Sequence, residues 1–415
     1  MEEDLMEAVV KRPEGGPLPR FSEHTGAIAS EGAAGWAIAD AAADALTRGE
    51  DVVSLCLGDT SFDTPERILD AAIGSLRGGR THYAPVPGTP ELRFAIAAAQ
   101  RRFDGHDWLA EQVTVFGGAQ NALFATLMAV AGARDEVLYF EPWYATYEAT
   151  IRAGGAIATP VRLSLESESS RLSEKALLSA VTGRTRAILL NSPNNPGGYV
   201  LGRSDLALVA RVASEHNLWI ISDEVYRSAV FDDDYLSITA FPEVLDRTIV
   251  INSLSKSHAM TGWRVGWALA PSTAANHLQN LAQCMLFGSP TFVQDAAAVA
   301  LEEAGDDEMR YFSGELRRRR DLMCDALSRV RQLTFTRPRG GMFCFVDVSA
   351  TGLSGALFAE KLFRSEGLAV VPGTAFGPNM SDFIRISFSA AEEIIADGME
   401  RLRRFCAKLL STTER

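Results

Sequence analysis

The sequence lacks the features that would tie it to a membrane, a nucleic acid, a metal or a disulfide framework. No apolar run approaches the roughly 20 residues that a membrane span needs. The opening Met-Glu-Glu-Asp-Leu-Met-Glu is acidic, without the basic and apolar regions of a secretion signal. Basic excess is absent too: 40 Lys and Arg stand against 53 Asp and Glu, a net charge of −13, which argues against nucleic acid or an anionic surface as partner. Five cysteines, Cys56, Cys284, Cys324, Cys344 and Cys406, are scattered with no metal-ligand spacing. They read as reduced thiols. These absences predict a soluble cytoplasmic protein with no metal, working on small molecules.

What is present is enough chain for about two or three domains, with ordinary globular composition. Residues 1–30 are rich in Pro and Gly with little periodicity, and predict an arm. A helical pattern over Ala33–Leu46 and a short strand at Asp51–Leu57 follow, before Pro65 opens another helix. Thr89-Pro90 is a helix start, with Thr89 as N-cap and Pro90 at the first helical position.

From there strands and helices alternate. Strands are predicted at Val113–Phe116, Glu136–Phe140, Ala156–Val161, Ala187–Asn191, Leu218–Ser222, Thr248–Ser253 and Arg264–Leu269. Helices are predicted at Ala119–Val130, Tyr144–Ala153, Ser173–Val181 and Ser204–His216. Runs such as Ala187-Ile188-Leu189-Leu190 are apolar on both faces, the mark of strands in a mostly parallel sheet covered on both sides. After about residue 290 the texture changes to α+β, with strands at Met342–Val348, Leu368–Val371 and Phe383–Phe388 and helices at Gly355–Ser365 and Glu392–Leu410. The run Arg317–Arg320 reads as a solvated helix face.

Four stretches carry chemistry. The central one is Asn252–Trp267, where Lys256 sits among small hydroxyl residues just after a buried strand, the place where open α/β sheets put ligands. Phe116-Gly117-Gly118-Ala119-Gln120 passes from strand to helix through two glycines, and backbone N–H groups there can hold a phosphate. Asn191-Ser192-Pro193-Asn194-Asn195-Pro196-Gly197-Gly198 is a turn after a buried strand. Ser222-Asp223-Glu224-Val225-Tyr226 places an acid at a strand end. Taken singly, a connection, a turn and a cap would explain the last three.

In this order and spacing, the motifs resemble those of the fold-type I pyridoxal-phosphate aminotransferases, the aspartate aminotransferase superfamily, from about residue 30 onward. The resemblance implies an α/β fold: a mostly parallel seven-stranded sheet in a three-layer large domain (63–299), and a smaller α+β domain from 31–62 and 300–415. It implies pyridoxal 5'-phosphate as cofactor, with Lys256 as the Schiff-base lysine and Asp223 paired with the pyridine nitrogen. Tyr226 and Asn195 would bond the ring's phenolic oxygen. Gly118, Ala119 and Gln120, with Ser253, Ser255 and Arg264, would hold the phosphate. Tyr144 would stack on the ring, with Trp143 as the alternative one residue away. Tyr83 would reach the phosphate of a neighbouring subunit, so the resemblance implies a homodimer with shared sites.

Arg385 lies mid-strand in Phe383-Ile384-Arg385-Ile386-Ser387-Phe388, and a buried guanidinium needs an anion. A structural salt bridge is one reading; the resemblance favours the substrate α-carboxylate, with Gly58 and Asn195 completing the grip. The implied reaction is a ping-pong amino transfer from an L-amino acid to a 2-oxo acid, with the Lys256 amine as general base and acid.

For the donor, Cys284-Met285-Leu286-Phe287-Gly288-Ser289-Pro290 stands where aspartate-specific relatives carry an arginine, and it holds no cation. Several segments are similar to bacterial arginine–pyruvate transaminases: Gly32–Trp36, Asn252–Trp267, Cys284–Pro290 and Gly340-Gly341-Met342-Phe343. This favours L-arginine as donor and pyruvate as acceptor, with Glu31 or Asp59 as the carboxylate for the guanidinium. Cys56 and Thr60-Ser61 depart from the usual family residues beside the substrate loop. Alternatives are an aromatic or prephenate-type donor, and a pyridoxal-phosphate C–S lyase or decarboxylase. An aminotransferase-like transcription regulator is disfavoured, because an arm of about 30 residues cannot hold a DNA-binding domain.

Overall fold

The computed structural model describes residues 35–164, 171–232 and 234–413, with Gly26 and Ile28 before them. Apart from those two residues, the expected arm lies outside the described residues, and so does Glu31.

The first half of the chain runs α1 (Ala37–Thr47), β1 (Val53–Ser54), α2 (Glu66–Arg77), α3 (Pro90–Asp104), β2 (Val113–Phe116), α4 (Ala119–Val130), β3 (Glu136–Glu141) and α5 (Tyr147–Ala153). Then come β4 (Ile157–Arg162), α6 (Glu174–Ala180), β5 (Thr185–Asn191), α7 (Arg203–Glu215), β6 (Trp219–Asp223), β7 (Thr248–Ser253) and β8 (Gly266–Leu269). Thr89 caps α3 as expected, its hydroxyl accepting from Leu92 N with Pro90 at the first helical position.

The strands β2 to β8 form one seven-stranded sheet in the order β2-β8-β7-β6-β5-β3-β4. Every pairing is parallel except those of β8, which runs against β2 and β7. Ile188, Leu190 and Ile220 pack into one apolar cluster with α7, while Leu189, Ile221 and Ile249 pack into another with α4. Burial on both faces explains the unbroken apolar runs.

Register then builds the site. Asn191 pairs with Asp223, and Asp223 with Ile251, so the carboxyl ends of β5, β6 and β7 lie side by side. Gly266 faces Ser253 on one side and Phe116 on the other, which gathers the Gly117-Gly118 turn, the Lys256 loop and Arg264 at one edge of the crevice.

The remainder of the chain contains α8 (Ser272–Met285), α9 (Thr291–Ala300), α10 (Glu303–Leu327), β9 (Thr334–Phe335), β10 (Phe343–Asp347), α11 (Gly355–Glu366), β11 (Leu368–Ala369), β12 (Val371–Pro372), β13 (Phe383–Ser387) and α12 (Glu392–Thr413). A four-stranded sheet, β12-β13-β10-β9, carries Arg385 on an inner strand between Phe345 and Val371. The single strand expected over Leu368–Val371 is two: β11 pairs with β1 in a separate two-stranded sheet, and β12 pairs with β13.

The arginine run also differs from its sequence reading. Arg317 and Arg318 are exposed, but Arg319 and Arg320 are buried. Arg319 donates to Ser389 O at 2.7 Å and lies 4.3 Å above the Phe62 ring. Arg320 pairs with Asp232 and Asp321 and donates to Pro338 O. Four consecutive helical residues turn about 100° apiece and sweep nearly the whole circumference, so a run of this length cannot stay on one solvated face.

Candidate active site

One cavity of about 320 Å³ opens where the carboxyl ends of β5 to β7 meet β13 and the Cys56–Asp59 segment. It brings together Lys256, Asp223, Tyr226, Asn195, Ser253, Ser255, Arg264, Ala119, Gln120, Tyr144, Gly58 and Arg385, residues spread over more than 300 positions of sequence.

Lys256 lies past the end of β7, its ammonium donating to the Gly58 carbonyl. Burial lowers its pKa to about 8; the Asp59 carboxylate opposes that shift, and the Arg385 and Arg264 charges add to it. About a tenth of the amine is therefore unprotonated at pH 7, against well under a hundredth for an ordinary surface lysine.

Asp223 ends β6 at the cavity floor. Burial raises its pKa to about 6, against the pull of two donors: the Tyr147 hydroxyl on Oδ2 at 2.6 Å and the Val225 N–H on Oδ1 at 3.3 Å. Tyr226, three residues on, is buried, its ring nearly perpendicular to that of Phe343, and it lines the cavity together with Asn195.

The glycine turn is shaped for a close approach. Gly118 has φ +94°, and a Cβ there would stand 2.5 Å from Nη2 of Arg264. The Gly118 N–H is itself spent on Phe116 O at 2.8 Å, so Gly118 serves through its conformation. Ala119 and Gln120, at the N-terminus of α4, line the cavity. The Gln120 side chain turns away, bonded to Thr146 and Thr150 of the α5 region. Arg264 takes a left-handed conformation, φ +53°, and donates to Thr261 O, which fixes its guanidinium over the turn. Ser253 accepts from the Ser255 N–H, so both hydroxyls lie on one tight loop.

Arg385 is 1% exposed. Its Nη1 donates to Asn195 Oδ1 at 2.9 Å and its Nη2 to the Cys56 carbonyl. Three rings surround it: Phe343 at 4.0 Å, Phe376 at 4.9 Å and Trp36 at 5.4 Å from Cζ. Among the described residues its hydrogen-bond partners are the two uncharged oxygens of Asn195 and Cys56, no carboxylate pairs with it, and its Nε is buried without a partner. The structural salt bridge is thus absent among the described residues, and the guanidinium lines the cavity without a carboxylate bonded to it. Burial brings its pKa down to about 10, so it remains charged at neutral pH.

The two aromatic candidates separate. Tyr144 lines the cavity, whereas Trp143 is buried against Tyr139. Tyr83 is elsewhere: it is 83% exposed, touches Phe287 edge-on and lies outside this chain's own cavity. Sequence reasoning missed Tyr147, Thr261 as the anchor of Arg264, and the aromatic box around Arg385. Only Tyr147 left a signal, one helical turn after Tyr144.

The model of the family "Aminotransferase class I and II" matches residues 50–402. The chain belongs to that family. This aminotransferase is 44% identical over 391 residues to the arginine–pyruvate transaminase AruH of Pseudomonas aeruginosa, covering 94% of this chain and 99% of that protein. It is 36% identical over 367 residues to a probable aspartate/prephenate aminotransferase of Aquifex aeolicus, covering 86% and 91%. Its fold matches an aspartate aminotransferase from Thermus thermophilus solved with maleate, with a TM-score of 0.88, 31% identity and coverage of 94% of this chain and all of that one. The chain is therefore an aminotransferase with that fold. Among the described residues no helix is long and apolar enough to cross a membrane.

Proposed function

We propose that this aminotransferase uses pyridoxal 5'-phosphate to move the amino group of L-arginine to pyruvate by a ping-pong route. The observation that carries the reading is Arg385, a buried cation with no carboxylate partner among the described residues, which shares one cavity with a lysine of lowered pKa.

The residues fit the cofactor. Lys256 is placed to hold it covalently, and Asp223 to pair with its ring nitrogen. Tyr226 and Asn195 are placed for its phenolic oxygen, and Tyr144 for its face. The Ala119 and Gln120 N–H groups, Ser253, Ser255 and Arg264 form a cradle for a phosphate, which Gly118 keeps open. When bound, the cofactor supplies an electron sink for the charge left at the substrate Cα.

The protein's own residues do the rest. Arg385 takes the α-carboxylate through its guanidinium fork, beside Gly58 and Asn195, and so orients the Cα–H bond. The neutral Lys256 amine would take the Cα proton onto Nζ as general base and, as general acid, return it to the cofactor carbon instead of to Cα. The walls of Trp36, Tyr144 and Phe343 narrow water's access to that proton.

Arginine as donor rests on the 44% identity to a protein of that name and on Asp59, an exposed carboxylate on the cavity wall held by Thr261 at 2.8 Å. The Cys284–Pro290 stretch supplies no cation for a dicarboxylate. An amino-acid panel with pyruvate as acceptor tests the reading. Arginine should give alanine fastest, with pyruvate consumed in step. Preference for aromatic, aspartate or prephenate-type substrates would overturn the arginine assignment, and release of ammonia or carbon dioxide from the donor with no pyruvate consumed and no alanine formed would point to lyase or decarboxylase chemistry.

We read the assembly as a cytoplasmic homodimer with shared sites, to which the exposed Tyr83–Phe287 pair contributes. Residues 63–299 serve as the cofactor-binding domain and 31–62 with 300–415 as the small domain. Sedimentation of a single species at twice the chain mass, 44.9 kDa, is expected.

A further inference from the structure

Asp223 needs a charge to do its work, yet it lies where a charge is expensive. Its carboxyl is 7% exposed at the end of an inner strand, and burial of that kind favours the neutral acid. A neutral acid would not hold a protonated ring nitrogen.

The groups facing Asp223 decide which form prevails. Glu224, next in the chain, adds repulsion. Tyr226 and Tyr235, from the segment after β6, are phenols held neutral by burial. Lys256 and Arg264, from the segment after β7, share the cavity, and Tyr144 lines it too. The α4 face contributes Gln120 and Leu123, which carry no charge. Only Tyr147 among these side chains donates a hydrogen bond to the carboxylate, from its hydroxyl to Oδ2 at 2.6 Å.

Tyr147 is fixed for this. It is 2% exposed, opens α5, donates its N–H to Tyr144 O at 2.9 Å and meets the Tyr144 ring edge-on at 5.5 Å. Burial holds its own hydroxyl protonated, so it acts solely as a donor toward the acid. With the Val225 N–H on the other oxygen, the carboxylate is gripped from both sides.

We infer that Tyr147 is a positioning residue that keeps Asp223 ionised and aimed into the cavity, and so sets how tightly this chain holds the cofactor ring. The inference rests on the proposal that the site takes pyridoxal phosphate. Hydrogen bonds to a charged group are strong enough to alter the proton affinity of a buried acid about tenfold.

The test is a titration of the apoprotein with pyridoxal phosphate, read by absorbance, from pH 5 to 8. Tyr147→Phe keeps the ring and its packing and removes only the donor. Its affinity for the cofactor should begin to fall, as pH is lowered, about one pH unit above the wild type's. In an Asp223→Asn background the same substitution should change nothing, because the amide has no proton equilibrium to set. An unshifted profile for Tyr147→Phe, or an equal effect in both backgrounds, overturns the inference. If the wild-type protein itself fails to bind pyridoxal phosphate, the underlying cofactor reading fails instead, which the same experiment shows separately.

Discussion

Arg385 donates to Asn195 Oδ1 at 2.9 Å, and no acid shares the guanidinium with that amide among the described residues. A neutral acceptor orients the cation without satisfying its charge. Among the described residues it is a buried positive charge without an acidic partner, and in the proposed reading the substrate's carboxylate supplies one. This costs stability and gains specificity, because a ligand lacking a carboxylate leaves the charge unpaired.

Arg385→Met separates the two effects. Losing a desolvated charge-assisted pair should lower kcat/KM for amino-acid substrates by a hundredfold or more, on the order of 3 kcal/mol. The folded protein should stay within about 1 kcal/mol of wild type, since the hydrogen bonds lost to Asn195 and Cys56 are offset by removal of an unpaired buried charge. Steady-state kinetics and denaturant unfolding measure the two quantities. A large stability loss with kinetics intact would mean that the arginine is structural.

Gly118→Ala should weaken cofactor binding. The positive φ strains any L-residue, and the added Cβ would displace the Arg264 guanidinium from the turn. A cost of about 1–2 kcal/mol corresponds to roughly a tenfold rise in the dissociation constant for pyridoxal phosphate. Fluorescence titration of the apoprotein checks it, and unchanged affinity would remove the turn from the phosphate site.

These two positions show what a reader of the sequence can and cannot recover. The large sheet was legible because its inner strands are buried on both faces, so apolar runs mark them; the edge strand β4 is largely exposed. That Asp223, Asn195 and Lys256 belong together was legible only through the order of their motifs and the resemblance it carries; the structure brings all three to one cavity. Arg319 and Arg320 were not, since a run of like charges gives no sign of which members face inward. Tyr147 left only its spacing from Tyr144, because its partner is 76 residues away and the fold alone brings the two together. The division of Leu368–Val371 between two sheets likewise depends on which neighbour each half meets.

Lys256 should leave a signature in the pH dependence of apoprotein stability. Its pKa falls from 10.5 when unfolded to about 8 in the fold, so between those values the unfolded chain binds more protons. Stability should therefore rise with pH across that window, by up to about 3 kcal/mol from this group. Comparing wild type with Lys256→Met by urea unfolding from pH 7.5 to 10.5 isolates the contribution. Parallel curves for the two proteins would show that the amine is not desolvated.

The central claim is that Lys256 carries the proton transfer in a cofactor-dependent amino transfer. Its most direct test is the Lys256→Ala variant, loaded with pyridoxal phosphate and supplied with the best amino donor of the panel and pyruvate. The account predicts that the variant retains the cofactor while steady-state turnover falls by several orders of magnitude, since a positioned acid–base group alone contributes about 10²–10⁴-fold. Turnover at the wild-type rate would contradict it.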